Sequence, residues 1–152
     1  MKTVMETEQA ECIELCNKMI RGERSAVDTY NSAIDKFGDH PVMNELRRIR
    51  DEHQKSVVDL EANVRSMGGD PAMDSGYWGI FATLVQNTAN LLGKESAVEA
   101  LAQGEQKGLD DYRDATKSDF LMPSCRALFT TTLIPRIQNH LQVLDKIEDA
   151  VN

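Results

Sequence analysis

The sequence has 152 residues, with 25 acidic against 17 basic side chains, a formal net charge of −8 and only 5% aromatic residues. This length suits one domain with a real core, and the prevalence of unbranched side chains favours helices packed on helices. An acidic surface repels phosphates and anionic headgroups, which excludes nucleic acid and membrane surfaces as partners.

Residues 1–8 carry no apolar run of the kind a signal peptide needs. No stretch reaches the ~18–20 unbroken apolar residues of a spanning helix. The three cysteines, Cys12, Cys16 and Cys125, form an odd and sparse set, which suits free thiols in a reducing compartment. The expected location is the cytoplasm.

Taken in chain order, apolar residues at spacings of three and four predict an all-α, antiparallel four-helix bundle built as a single domain over residues 1–152. The first helix is expected over about 7–37, stopped by Gly38. Asp39 as an acidic cap and Pro41 in the first turn open a second helix over 41–67. It ends at Gly68-Gly69-Asp70-Pro71. The third helix is expected over 95–118 and the fourth over 124–151, with Pro135 inside the fourth and expected to kink it. Between the second and third helices lie residues 75–93, nineteen positions without a charge. Trp78, Phe81, Leu84, Val85, Thr88, Leu91 and Leu92 follow helical spacing there, which predicts a helical crossover lying across the bundle. A water-facing helix normally carries charge, so the same stretch predicts a homodimer that uses part of Tyr77 to Leu92.

Residues 22–33 and 104–115 repeat one another: Gly, Glu, Asp, Tyr and Ala stand at matching offsets. Two related hairpins packed about an approximate twofold axis are expected. Near the midpoints of the four helices lie Glu23, His53, Glu105 and His140, each a polar residue on an apolar stripe. Buried carboxylates and imidazoles need partners, so the four are expected to meet in one layer, with the hydroxyls of Tyr30 and Tyr112 in the same interior. Two readings are open. Two carboxylates and two imidazoles suit one divalent metal, zinc, iron or manganese. Alternatively they satisfy each other in an internal network, with the guanidinium of Arg50 or Arg136 reaching inward to Glu23 or Glu105.

Gly22-Glu23 with Tyr30, the loop Met67-Gly68-Gly69-Asp70-Pro71, the crossover containing Trp78, and Gly104-Glu105 with Tyr112 together resemble an uncharacterised bacterial family. That family is known only as a domain of unknown function and is grouped with the ferritin-like four-helix bundles. The resemblance runs from about Cys12 to Asp149 and implies the ferritin-like fold, without an activity. Ferritin-like di-iron centres take one Glu from each of two helices and a Glu-x-x-His from each of the other two. Glu23, Glu105, His53 and His140 match, but Arg50 and Ile137 stand where the two further carboxylates are needed. Glu52 is next to His53 and so turned about 100° away from it. The resemblance therefore implies a single metal at most, and a di-iron oxidoreductase is the least supported reading. The leading expectation is a bundle of unassigned activity holding one divalent ion. Against it stands a non-enzymatic structural or interaction module whose Glu/His/Arg core binds no metal. No residue is nominated as catalytic. The cysteines have two readings, a thiol cluster for metal or redox sensing and, more ordinarily, small buried hydrophobes.

Overall fold

A computed structural model describes residues 3–38, 40–75 and 94–151, without the side chains of Lys36, Lys94, Glu95 and Ser96. These residues form an all-α helical bundle with no strand among them. Helix α1 spans Val4–Phe37, α2 Met43–Ser66, and α3 Lys94–Thr116. A fourth rod consists of α4 (Pro123–Leu128), a π-helical turn (Phe129–Leu133) and α5 (Ile134–Val151). The expected crossover helix and the expected dimer contact at Tyr77 to Leu92 lie outside the described residues.

The helix ends follow from local chemistry. Thr3 caps α1 by accepting the Glu6 N–H while the Glu6 carboxylate accepts the Thr3 N–H, a capping box that starts the helix earlier than residue 7. Gly38, at φ 61°, closes it. Helix α2 begins at Met43 rather than Pro41, because Pro41 and Val42 form a turn in which the Val42 N–H donates to His40 Nδ1. At its far end the N–H groups of Gly68 and Gly69 bond the carbonyls of Arg65 and Val64. Gly68 sits at φ 80°, so this is a Schellman stop.

The effect of Pro135 falls on the turn before it. Proline lacks the N–H that the Thr131 carbonyl would receive and its ring crowds that turn. The rod widens just ahead of it, so that the Ile134 N–H reaches back to the Phe129 carbonyl, a π-type bond. The Thr130 and Thr131 hydroxyls bond the carbonyls of Arg126 and Ala127, supporting the widened turn.

Directions can be read from contacts. Gln9 meets the Met67 carbonyl while Asn31 meets Arg50, so α2 runs antiparallel to α1. Tyr112 meets Glu23 while Tyr30 meets Glu105, so α3 also runs antiparallel to α1. Arg136 meets Asp59 while His140 meets Glu52, which sets α5 against α2. The bundle is therefore up-down-down-up, and the end of α2 and the start of α3 lie at opposite ends of it. Residues 69–75 already cover part of that distance. Gly69 lies against Ile13, Asp70 and Ala72 bond Asn17, Asp74 pairs with Arg21, and Ser75 reaches Asp28.

The core falls into two apolar clusters. One gathers Cys12, Cys16, Ile20, Leu60, Val64 and Phe129 with their neighbours, and the other Tyr30, Phe37, Leu46, Ile49, Leu101 and Leu144 with theirs. Between them lie the buried polar side chains Glu23, His53, Glu105 and His140.

Gly69 is the tightest point of the loop. A Cβ there would stand 2.8 Å from Ile13 Cγ2 and 3.1 Å from Val64 Cγ1. Gly69→Ala is expected to destabilise by about 1–3 kcal/mol through overpacking, measured by urea unfolding. An unchanged midpoint would show that the loop is free to lift away from α1.

Candidate functional site

Each of the four rods brings one ionisable side chain to the same level of the bundle: Glu23 from α1, His53 from α2, Glu105 from α3 and His140 from α5. All four are at least 95% buried. His53 is the hub. Its Nδ1 lies 2.5 Å from Glu23 Oε2 and its Nε2 lies 2.6 Å from Glu105 Oε1. The carboxylates are in turn held by tyrosines, but crosswise. The Tyr112 hydroxyl on α3 donates to Glu23 Oε1 at 2.8 Å, and the Tyr30 hydroxyl on α1 donates to Glu105 Oε1 at 2.7 Å. The repeat read in residues 22–33 and 104–115 thus has a physical counterpart, in which the tyrosine of each copy serves the glutamate of the other.

His140 stacks obliquely on His53, with ring centroids 4.7 Å apart. Its Nε2 is 2.9 Å from Glu52 Oε1. Its Nδ1 faces Glu105 Oε1 at 3.2 Å, close enough for an ion pair but not aligned as a hydrogen bond. This nitrogen and Glu105 Oε2 are the buried side-chain atoms without a hydrogen-bond partner among the described residues. Each histidine is therefore anchored through one nitrogen to a carboxylate, Glu23 or Glu52, and turns the other nitrogen toward Glu105.

Glu52 is the participant that helical spacing missed. It is indeed turned away from His53 on α2, but α5 packs on that flank, and a glutamate side chain is long enough to meet His140. Arg48 steadies it from the next turn at 2.6 Å. The expected inward arginines are corrected. Arg50 bonds Asn31 and Asp51, and Arg136 bonds Ser56 and Asp59. Arg50 turns to a carboxylate and an amide nearer the surface, and Arg136 to the Asp59 carboxylate and the buried Ser56 hydroxyl, and a carboxylate partner lowers the cost of holding each charge. Neither pairs with Glu23 or Glu105.

Protonation follows from these contacts. Burial alone would lower the pKa of His53, but the flanking Glu105 and Glu23 carboxylates raise it to about 10. Burial would raise Glu105, yet His53 and His140 hold it well below the usual carboxylate range. Tyr30 and Tyr112 are pushed well up by burial and by the carboxylates they serve, so both remain phenols. Burial likewise works to raise Glu52, but its bond to His140 and the nearby Arg48 bring it down. Beside the layer a cavity of about 30 Å³, lined by Gly22, Glu23, His53, Gly108 and Tyr112, extends to the exposed Lys18. It has room for about two water-sized molecules.

The layer sets a pH window for stability. The folded pKa of His53 lies above its unfolded value of about 6.5, so its contribution is complete below that pH and fades as pH climbs toward 10. Glu105 is depressed, so its contribution is complete above about pH 4.3 and lost as pH falls. Metal-free protein should show its highest urea midpoint between about pH 4.3 and 6.5, declining on the alkaline side by at most ~1.4 kcal/mol per pH unit. His53→Gln should flatten that alkaline limb. An alkaline limb of unchanged slope in the variant would assign the effect to another group.

A family model described as a domain of unknown function, DUF2383, matches residues 11–118. This span holds Glu23, Tyr30, Glu52, His53, Glu105 and Tyr112 and ends before His140. No curated protein and no solved structure matches the chain. With most of its length matched, and with the repeated Gly-Glu elements and the Gly68-Gly69 loop inside the match, the chain belongs to the DUF2383 family, a domain of unknown function.

Proposed function

We propose that the chain is a ferritin-like bundle that binds one divalent metal ion, with His53, Glu105 and His140 as ligands and Glu23 and Glu52 as the carboxylates that orient the histidines. The observation that carries this reading is the convergence of one nitrogen from each histidine on the same carboxylate, with His140 Nδ1 and Glu105 Oε2 buried and making no hydrogen bond among the described residues. Candidate ligand atoms of these three residues all lie within 4.8 Å of one another. A small divalent ion with ligands at about 2.0–2.2 Å asks for ligand atoms roughly 3–3.5 Å apart, so modest side-chain adjustment suffices. A histidine that gives its second N–H to a carboxylate is the usual outer support of a metal ligand. The up-down-down-up order of the helices supports the ferritin-like part of the reading.

Charge points the same way. With His53 protonated, one imidazolium faces two carboxylates. A divalent ion that displaces the Nε2 proton balances Glu23 and Glu105 and leaves Nδ1–H to donate to Glu23. Binding therefore releases a proton. The mixed imidazole and carboxylate set suits zinc, iron or manganese. The small cavity beside Glu23 offers a route for the ion.

A second reading rests on His53 itself. Both of its nitrogens already contact carboxylate oxygens, as in a closed imidazolium bridge that serves only to join the hairpins in a non-enzymatic module.

Elemental analysis and thermal melts separate the two. The metal reading expects Glu105→Gln and His140→Ala each to hold one ion per chain fewer than the parent. It also expects ion added to chelator-treated parent protein to stabilise by about 2.7 kcal/mol at a hundredfold excess over Kd. If zinc, iron and manganese all leave the melting of the parent unchanged, and the variants lose no ion, the imidazolium bridge is the better account.

A further inference from the structure

At the end of the bundle where α1 begins and α2 ends, the three cysteines come together. All are fully buried and free. Cys125 Sγ on α4 lies 2.7 Å from Cys12 Sγ and 3.4 Å from Cys16 Sγ on α1, and ligand atoms from all three lie within 4.8 Å of one another. The Asn63 side-chain amide donates to Cys125 Sγ at 2.9 Å and approaches Cys16 Sγ at 3.7 Å. The Met67 thioether stands 3.9 Å from Cys125. Three thiols packed as plain hydrophobes would not need an amide donor aimed at their sulfurs. Cys125 Sγ accepts from this amide and lies within hydrogen-bond reach of both other thiols, where either sulfur can be the donor.

We propose that Cys12, Cys16 and Cys125 form a metal site for a thiophilic closed-shell cation, Zn2+ or Cu+, with the Met67 thioether at its edge. Metal–sulfur bonds of about 2.3 Å place thiolates roughly 3.8–4.0 Å apart, so on binding a cation the 2.7 Å and 3.4 Å separations must open, the first by about 1 Å, while all three sulfurs start within 4.8 Å of one another. Soft sulfur donors select these ions over magnesium, calcium or manganese. Each thiol that ligates releases its proton to water. The Cys125 thiol is drawn down to about 6, chiefly by its bond from Cys16, whereas burial pushes Cys12 up to about 11 and the bond to Cys125 pushes Cys16 well above the usual thiol range, so those two give up their protons only to a bound cation. The site shares no residue with the histidine layer and belongs to one of the two apolar clusters that flank it.

The test uses the whole chain, reduced and handled without oxygen, titrated with Co2+ as a spectroscopic probe. The expected result is a thiolate-to-metal charge-transfer band that saturates at one equivalent, survives Glu105→Gln, and is lost in Cys125→Ala. Coordination by imidazole and carboxylate alone gives no such band, so failure here and failure of the histidine site are read separately. Displacement of the band by Zn2+ or by Cu+ under a competing chelator tells which ion is preferred. Should the alanine variant not fold, thiol alkylation of the Glu105→Gln variant, which lacks a histidine-layer ligand, decides: bound Zn2+ at ten times Kd should slow it about tenfold. The absence of a charge-transfer band in fully reduced parent protein, or alkylation of Glu105→Gln at equal rates with and without Zn2+, overturns the proposal.

Discussion

The structure depends on one interaction, the grip of two buried carboxylates on the imidazole of His53. Glu23 and Glu105 come from different hairpins, and each is too deeply buried to be tolerated alone. His53 meets both at hydrogen-bond distance, and the crosswise tyrosines complete the coordination of the oxygens that face them. Removal of any member leaves a desolvated polar group behind, so the bundle tolerates this layer only as a set.

The same layer organises the apolar core. A bundle of this kind could bury one continuous stripe, but here the stripe is interrupted at every rod and the apolar side chains divide into two clusters. The interruption fixes the vertical register of the rods, because a slip by one turn on any helix would separate the carboxylates from His53 and put methyl groups in their place. Register therefore comes from polar contacts, and bulk stability from the apolar clusters on either side. The arrangement is nearly twofold at the level of Glu23, Tyr30, Glu105 and Tyr112. It is unequal at the histidines, since His53 touches both carboxylates while His140 leans on Glu52. That inequality leaves a nitrogen and a carboxylate oxygen without hydrogen bonds among the described residues, the feature on which the metal reading rests.

Much of this was legible in the sequence because its signals are periodic. Glu23, His53, Glu105 and His140 stand out as polar residues on apolar stripes, and helix midpoints share a level in any bundle of similar rods. The all-α architecture followed from the same periodicity. What was not legible depended on side-chain reach and packing angle. Glu52 is one residue off the His53 stripe, and only the position of α5 makes it a partner of His140. Arg50 and Arg136 sit one turn or nearly so from the histidines, yet their long stems turn to other acceptors, Asn31 and Asp51 for one and Ser56 and Asp59 for the other. The widened turn ahead of Pro135 depended on local backbone bonding, and neighbouring threonines able to bond back to the chain accompany it. The path of residues 69–75 rests on contacts with α1 far away in sequence.

The proton state of His53 is the most direct test of this account. Nitrogen-15 NMR of the imidazole in metal-free protein at about pH 8, well above the ordinary histidine pKa of ~6.5, reads both ring nitrogens at once. The account expects both to carry protons, because each faces a carboxylate, and expects added zinc to remove the proton from Nε2 alone. A neutral His53 with a single protonated nitrogen in the metal-free protein would contradict it, since the two carboxylates could not then both be ionised acceptors of the same ring.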